Sequence, residues 1–428
     1  MTERAALTGP RLGFWALGGF GTGVINTVPA ALLLYFCTEI LAISPGLAAL
    51  AVLLPKLSAI LWDPIVGGWS DNTRSRMGRR RPFILAGTIG VPLFFILLFS
   101  WPYPQGDAAF LPVMLFYLLM TSAYSLFAVP FVAVPAEASP DPVVRERITG
   151  WRIGFAMIGV FFGAAAGPFI AEQVGGGRGG YVVMSIVIAA MCLFALTSTF
   201  FATPSHFVAP PSGDVAPARA RFRAGALIRG AGRFWMLTAV YILQLIGIGA
   251  VTALTPYWMV QLAGHSAGET GTALGAMFLA TIVTVPLWMR GIARWGANRA
   301  LIAAAAMFGG AALLLSMPDR VPMLPIYVAL GVPFAGIQVA AFALVAHAIH
   351  AIPDDREGLF TGIWTAGEKS GLALGAALSG LGLQLGGFIS AAPTQSTEAV
   401  ETLRWLIAAG PLACMVLSLA LLVLGNRK

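Results

Sequence analysis

The chain has 428 residues, of which 58% are hydrophobic and only 10% charged, with a mean hydropathy of +0.83 and a formal net charge of +8. A soluble protein of this length needs far more charge to cover its surface, so a water-soluble fold, with or without a single anchor, is excluded. The basic balance does not point to nucleic acid. Only Lys56, Lys369 and Lys428 are lysines, and the arginines fall mostly between apolar runs, where membrane topology places them.

Runs long enough to cross a bilayer, about 20 mostly apolar residues each, recur along the chain. The predicted spans are 12–37, 46–70, 82–101, 108–136, 147–173, 180–202, 233–262, 269–290, 298–317, 322–351, 357–387 and 400–425. The first does not read as a cleaved signal peptide, since Glu3 precedes it and no small-residue cleavage site follows a short apolar core. The expected fold class is therefore an all-α membrane protein of twelve transmembrane helices in two six-helix bundles. The expected division is 1–202 for the first bundle, 203–232 for a linker, and 233–428 for the second. The linker carries Pro204, Pro210, Pro211 and Pro217, then a basic stretch. That stretch reads equally as a short helix on an anionic membrane surface or as a solvated connector.

Orientation follows from arginine. One set of connections holds Arg74, Arg76, Arg79, Arg80, Arg81, Arg145, Arg147, Arg219, Arg221, Arg223, Arg290 and Arg356, whereas the alternate set holds only Arg178, Arg320 and Arg404. The first set is expected in the cytoplasm, with both termini there and the protein in the plasma (inner) membrane.

The halves look duplicated. One shift superimposes Thr149 on Thr361, Gly159 on Gly371 and Gly163 on Gly375. Glycine at every fourth position bares a helix stripe, so the fifth and eleventh spans are each expected to receive a closely packed neighbour.

A charge inside a bilayer costs a few kcal/mol, so it usually meets a partner or a wet cavity. Asp63 stands in the second span between Trp62 and Pro64, with Lys56 two turns earlier on nearly the same face, about 10 Å away along the axis. Lys369 lies inside the eleventh span, and its neighbour Glu368 points about 100° away. Arg152 lies near one end of the fifth span. Asp63 is expected to load and release a cation or proton. In the loop SDNTRSRMGRRRP (70–82), Asp71 is placed to pair with an arginine such as Arg79 or Arg80 and hold an inner gate. No glycine–lysine phosphate loop is present, so ATP is not the energy source, and no paired acids or His clusters suggest an enzyme. Cys37, Cys192 and Cys414 are read as buried apolar residues, and no metal site or cofactor is expected.

The segment WDPIVGGWSDNTRSRMGRRRPFILAG (62–87) resembles the glycoside–pentoside–hexuronide:cation symporters, within the major facilitator superfamily. GGFGTG (18–23), Thr38-Glu39, Val129-Pro130-Phe131 and Arg356-Glu357-Gly358 leading to Lys369 fit the same pattern, so the likeness covers nearly the whole chain. It implies a major facilitator fold with pseudo-symmetric halves and symport of a solute with sodium, lithium or a proton by alternating access. Asp63 then falls on the cation-site aspartate, Ser125 on a threonine ligand, Lys369 on the lysine near that site, and Lys56 on a basic residue of the same helix as Asp63. Arg152 falls on a substrate-cavity arginine.

The departures from the family pattern are specific. A second carboxylate becomes Ala59, an amide becomes Trp62, and the two sugar-gripping aspartates become Gly23 and Ala128. A single acid beside a lysine suits a proton better than sodium, and a galactoside is a poor fit. Asn26, Tyr124, Gln244, Gln338, Trp258 and Trp364 are candidates for an aromatic–amide pocket. The leading expectation is a monomeric secondary transporter, proton-coupled, for a small organic solute such as a glycoside or sugar-like compound. The alternatives are a carrier of an amphipathic or lipid-like solute and a non-transporting membrane receptor or scaffold.

Overall fold

The computed structural model describes residues 7–139, 141–205, 232–350 and 357–425. Among them the regular structure is entirely helical. The first half comprises α1 (Gly9–Tyr35, extended by a wider turn at Phe36–Ile40), α2 (Pro45–Asn72), α3 (Arg81–Ser100), α4 (Phe110–Ala138), α5 (Pro142–Gln173) and α6 (Gly177–Ala202). The second comprises α7 (Gly232–Gln261), α8 (Thr270–Trp295), α9 (Ala297–Leu313), α10 (Met323–His350), α11 (Glu357–Leu385) and α12 (Thr397–Gly425). The connector expected at 203–232 lies largely outside the described residues, although its last position, Gly232, already belongs to α7.

Eleven of the described helices are long and apolar enough to span a membrane. The remaining one, α11, is long enough but is diluted by Glu368, Lys369 and a run of glycines. Its composition follows from its place: it packs against α7 within its own half and against α2 of the other, and meets protein on two sides.

The two halves repeat one pattern of neighbours. α1 packs on α5 and α6, α4 on α2 and α3, and α3 on α6. Likewise α7 packs on α11 and α12, α10 on α8 and α9, and α9 on α12. The glycine ladders explain the first contact in each set. A methyl group at Gly159 would lie 2.2 Å from the Phe20 carbonyl of α1, and one at Gly375 2.2 Å from the Ile246 carbonyl of α7. The backbones approach closely enough for dispersion to hold them where lipid provides no hydrophobic drive.

We call the end of the molecule that holds the start of α1 the terminal end, and the opposite one the distal end. Tight contact between halves is concentrated at the distal end. There Thr38 and Tyr257 hydroxyls lie 2.6 Å apart, Tyr257 meets Tyr35 and Phe388 edge-on, and Ser390 donates to the Ile43 carbonyl at 2.6 Å. Gly46 lies against Gln384, and Gly271 against the Ala165 backbone. At the terminal halves of α2, α5 and α11, Trp69, Trp151 and Thr365 are exposed.

Candidate solute and coupling site

Prolines shape the helix that carries the central acid. Pro55 and Pro64 interrupt α2, and the Pro55 carbonyl accepts from Ser58 at 2.8 Å and from Thr121 of α4 at 3.3 Å. Both bonds use the spare accepting capacity of a backbone carbonyl in an apolar medium, where no water is at hand to fill it. They also fix α2 against α4, which brings Asp63 opposite Ser125. Ser125 donates to Asp63 Oδ1 at 2.5 Å, and Lys369 Nζ of α11 donates to Oδ2 at 2.7 Å. Both side chains of this ion pair are about a quarter exposed, 26% for Asp63 and 29% for Lys369. The pair therefore joins the two halves at mid-depth.

Around it lie the other first-half candidates. Lys56 does not pair with Asp63; it donates to Asn26 Oδ1 at 3.1 Å, while Asn26 donates to the Thr22 carbonyl. Tyr124 lies close to Asn26, and Lys369 Nζ sits 5.9 Å from the Tyr124 ring. Arg152 has a buried Nε with no hydrogen-bond partner. Sequence spacing separates Lys56 from Asp63 along one face, and Lys56 meets the Asn26 amide there rather than a salt-bridge partner.

The second half supplies a polar group with an aromatic frame. Tyr241 of α7 donates to Gln338 of α10 in a short bond and to Glu368 Oε1 of α11 at 3.4 Å. Trp364 stacks flat on Tyr241, with centroids 4.4 Å apart and planes 3° from parallel, and its indole N–H is buried without a partner. Two members of the expected aromatic–amide pocket are not there. Trp258 is buried, donates to the Leu315 carbonyl and meets Tyr327 edge-on, and Gln244 is buried against Ser418 of α12. Both serve packing, because the helical face they share with the core leaves none of the side chain for a cavity.

The positions where family carboxylates are missing are informative. A methyl group at Gly23 would lie 2.3 Å from the Ala156 carbonyl, so α5 seals that position and no carboxylate fits. Ala128 is buried and Ala59 half-buried.

At the terminal end, Arg80 donates to Ser70 and Glu137 and pairs with Asp71 at 2.5 Å, and Arg79 pairs with Glu137 at 2.9 Å. This cluster ties α2, the following loop and the end of α4 together within the first half. Glu137, which holds both arginines, is not among the residues the sequence singles out. An acid two residues after Pro135, facing an arginine run from another helix, is the signal it left. Arg356 of the second half lies outside the described residues.

Residues 14–426 match the family model described as MFS/sugar transport protein. The chain belongs to that family. Its relatives and structural neighbours are membrane transporters, not enzymes. Over 160 residues it is 29% identical to the putative glycoside/cation symporter YagG of Escherichia coli (strain K12), covering 37% of this chain and 33% of that one. Over 191 residues it is 25% identical to the inner membrane symporter YicJ of the same organism, covering 43% and 42%. The chain thus spans less than half the length of these two relatives. A longer match, 22% over 455 residues, covers 95% of the chain and 83% of the sodium-dependent lysophosphatidylcholine symporter 1 of Mus musculus. Among solved structures, the fold is similar to a bacterial homologue of the lysosomal transporter Spinster in an inward-facing, unoccupied conformation, with TM-score 0.72 and 13% identity over 98% of this chain and 96% of that one. It is also similar to a point variant of the nucleoside transporter NupG, with TM-score 0.70 and 12% identity over 96% and 100%. The twelve-helix fold of two bundles is therefore that of this transporter class.

Proposed function

We propose that the protein is a secondary active symporter that moves a small organic solute, sugar-like in character, together with a proton by alternating access. The observation that carries this reading is the Asp63–Lys369 pair between the halves. A proton delivered to Asp63 cancels its charge and releases Lys369, so the energy that joins the halves at mid-depth depends on cation occupancy. A proton fits better than sodium. The oxygens of Asp63 already hold a hydroxyl and an ammonium group, and Ala59 and Trp62 offer no side-chain oxygen to complete a sodium shell.

The arginine distribution supports placing the terminal end in the cytoplasm, with both chain ends inside and the protein in the inner membrane. On that placement the tightly packed distal end faces outward, and the conformation is closed outside. The Asp71–Arg80–Glu137 cluster then lies at the inner mouth, where it is suited to a gate, and Lys56, Asn26, Tyr124, Arg152, Gln338 and Trp364 line the solute path. One chain carries both halves of the path, so a monomer suffices and no cofactor is required.

One finding favours a second reading. The sealed Gly23 position and the apolar Ala128 remove carboxylates that would grip hydroxyls. A match over 95% of the chain is with a lysophosphatidylcholine symporter. An amphipathic solute is the corresponding alternative. Uptake into proteoliposomes separates these readings: methyl glycosides or lysophosphatidylcholine are offered under an imposed pH or sodium gradient. The leading reading expects glycoside accumulation driven by the pH gradient alone. Accumulation of only the lipid, or drive only by sodium, contradicts it.

A further inference from the structure

We infer that Glu368, held by Tyr241 beside Gln338 and Trp364, is the hydroxyl-accepting subsite of the solute path and that it takes a polyhydroxylated solute. The inference rests on the sugar-like reading above and names the group that recognises the sugar-like face.

The argument begins with what the first half lacks. A carboxylate is the strongest acceptor for paired hydroxyls, because its two oxygens receive charge-assisted bonds side by side. The first-half positions available for one are blocked: Gly23 meets the Ala156 carbonyl, and Ala128 is buried. Asp63 is committed to Ser125 and Lys369. Glu368 is the remaining acid in the membrane-embedded body of the helices around the path. It has no ion-pair partner among the described residues, since its neighbour Lys369 turns to Asp63. An unpaired carboxylate at this depth is costly unless a ligand or a polar cavity meets it.

Its surroundings fit a ligand better than a packing role. Its nearest donor, the Tyr241 hydroxyl, is 3.4 Å away and is shared with Gln338. The bond is long, so the carboxylate retains most of its accepting capacity. Trp364 is 3% exposed and its indole N–H has no partner, which leaves a buried donor beside the acceptor. An acceptor, a shared amide and an unused donor in one aromatic frame match a ring bearing several hydroxyls. The nearby charge disfavours the competing ligand, a cation: Lys369 lies beside Glu368, and Lys56 lies within electrostatic reach of Lys369.

The test uses the full chain purified in detergent. Methyl β-D-glucopyranoside, methyl β-D-xylopyranoside and myo-inositol are titrated against intrinsic tryptophan fluorescence, with lysophosphatidylcholine in parallel. At least one polyol is expected to bind the parent, and to bind Glu368→Gln about tenfold or more weakly. In the parent, carbodiimide labelling of Glu368, read by peptide mass, is expected to slow when that polyol is present; this arm needs no variant and covers failure of the variant to fold. Polyol affinity equal in parent and variant, or labelling indifferent to bound polyol, overturns the subsite and leaves the sugar-like reading standing. Binding of lysophosphatidylcholine with no polyol binding, or no binding at all, overturns both.

Discussion

Lys369 of α11 and Asp63 of α2 form an ion pair at 2.7 Å, although 306 positions separate them in the chain. The pair couples the halves because neither residue has a charged partner in its own half among the described residues. Removing the lysine leaves a partly buried carboxylate held only by Ser125, so Lys369→Ala is expected to lower the melting temperature of the purified protein. Removing both charges, in Asp63→Asn with Lys369→Gln, is expected to recover most of that loss, since unpaired buried charge costs more than no charge. A double variant less stable than either single one contradicts the account.

The glycine contacts predict a second set of outcomes. Gly159→Ala places a methyl 2.2 Å from the Phe20 carbonyl, and Gly375→Ala does the same to the Ile246 carbonyl. The helices must part, at a cost of about 1–3 kcal/mol each. Gly163→Ala meets its nearest atoms, on Val24, only at 3.0 Å and is expected to cost less. Thermal unfolding of the three variants in detergent checks the order.

The distal contact predicts a cross-link. A side chain at Gly275 of α8 would begin 3.2 Å from the Ala165 methyl of α5, within a few tenths of an ångström of disulfide geometry. The pair Ala165→Cys with Gly275→Cys is expected to oxidise readily and to stop transport until a reductant restores it, because the distal end must open in alternation. Full activity with the disulfide formed, shown by gel shift, means that this end does not open. Native Cys37 and Cys192 are buried and Cys414 half-buried, so the parent serves as the control.

The terminal ion cluster predicts a graded effect. Glu137 receives both Arg79 and Arg80, so Glu137→Gln weakens two pairs at once, whereas Asp71→Asn weakens one pair with a carboxylate that is 58% exposed. Transport is expected to fall further in Glu137→Gln, and initial uptake rates at equal protein decide it. A larger effect from Asp71→Asn would assign the work to the exposed partner.

What was legible in the sequence is what a single helix encodes. Length and apolar content set the spans, and the glycine period announced a close neighbour for α5 and α11. A charge in an apolar run marked Asp63 and Lys369, and resemblance added Ser125. What was illegible depends on helix rotation within the bundle. Trp258 and Gln244 look like pocket residues in the chain, but α7 turns both into the packing of its own half. Glu137 and Tyr241 owe their roles to partners 57 and 127 positions away. Gly23 looks like a lost acid, yet the fold shows that α5 occupies the space the acid would need.

The most direct measurement of the central claim is solute-dependent alkalinisation around proteoliposomes, comparing the parent with Asp63→Asn at equal protein. The account predicts that adding a transported solute raises the external pH for the parent and leaves it unchanged for the variant. Proton movement that persists in Asp63→Asn at the parent's rate would contradict it.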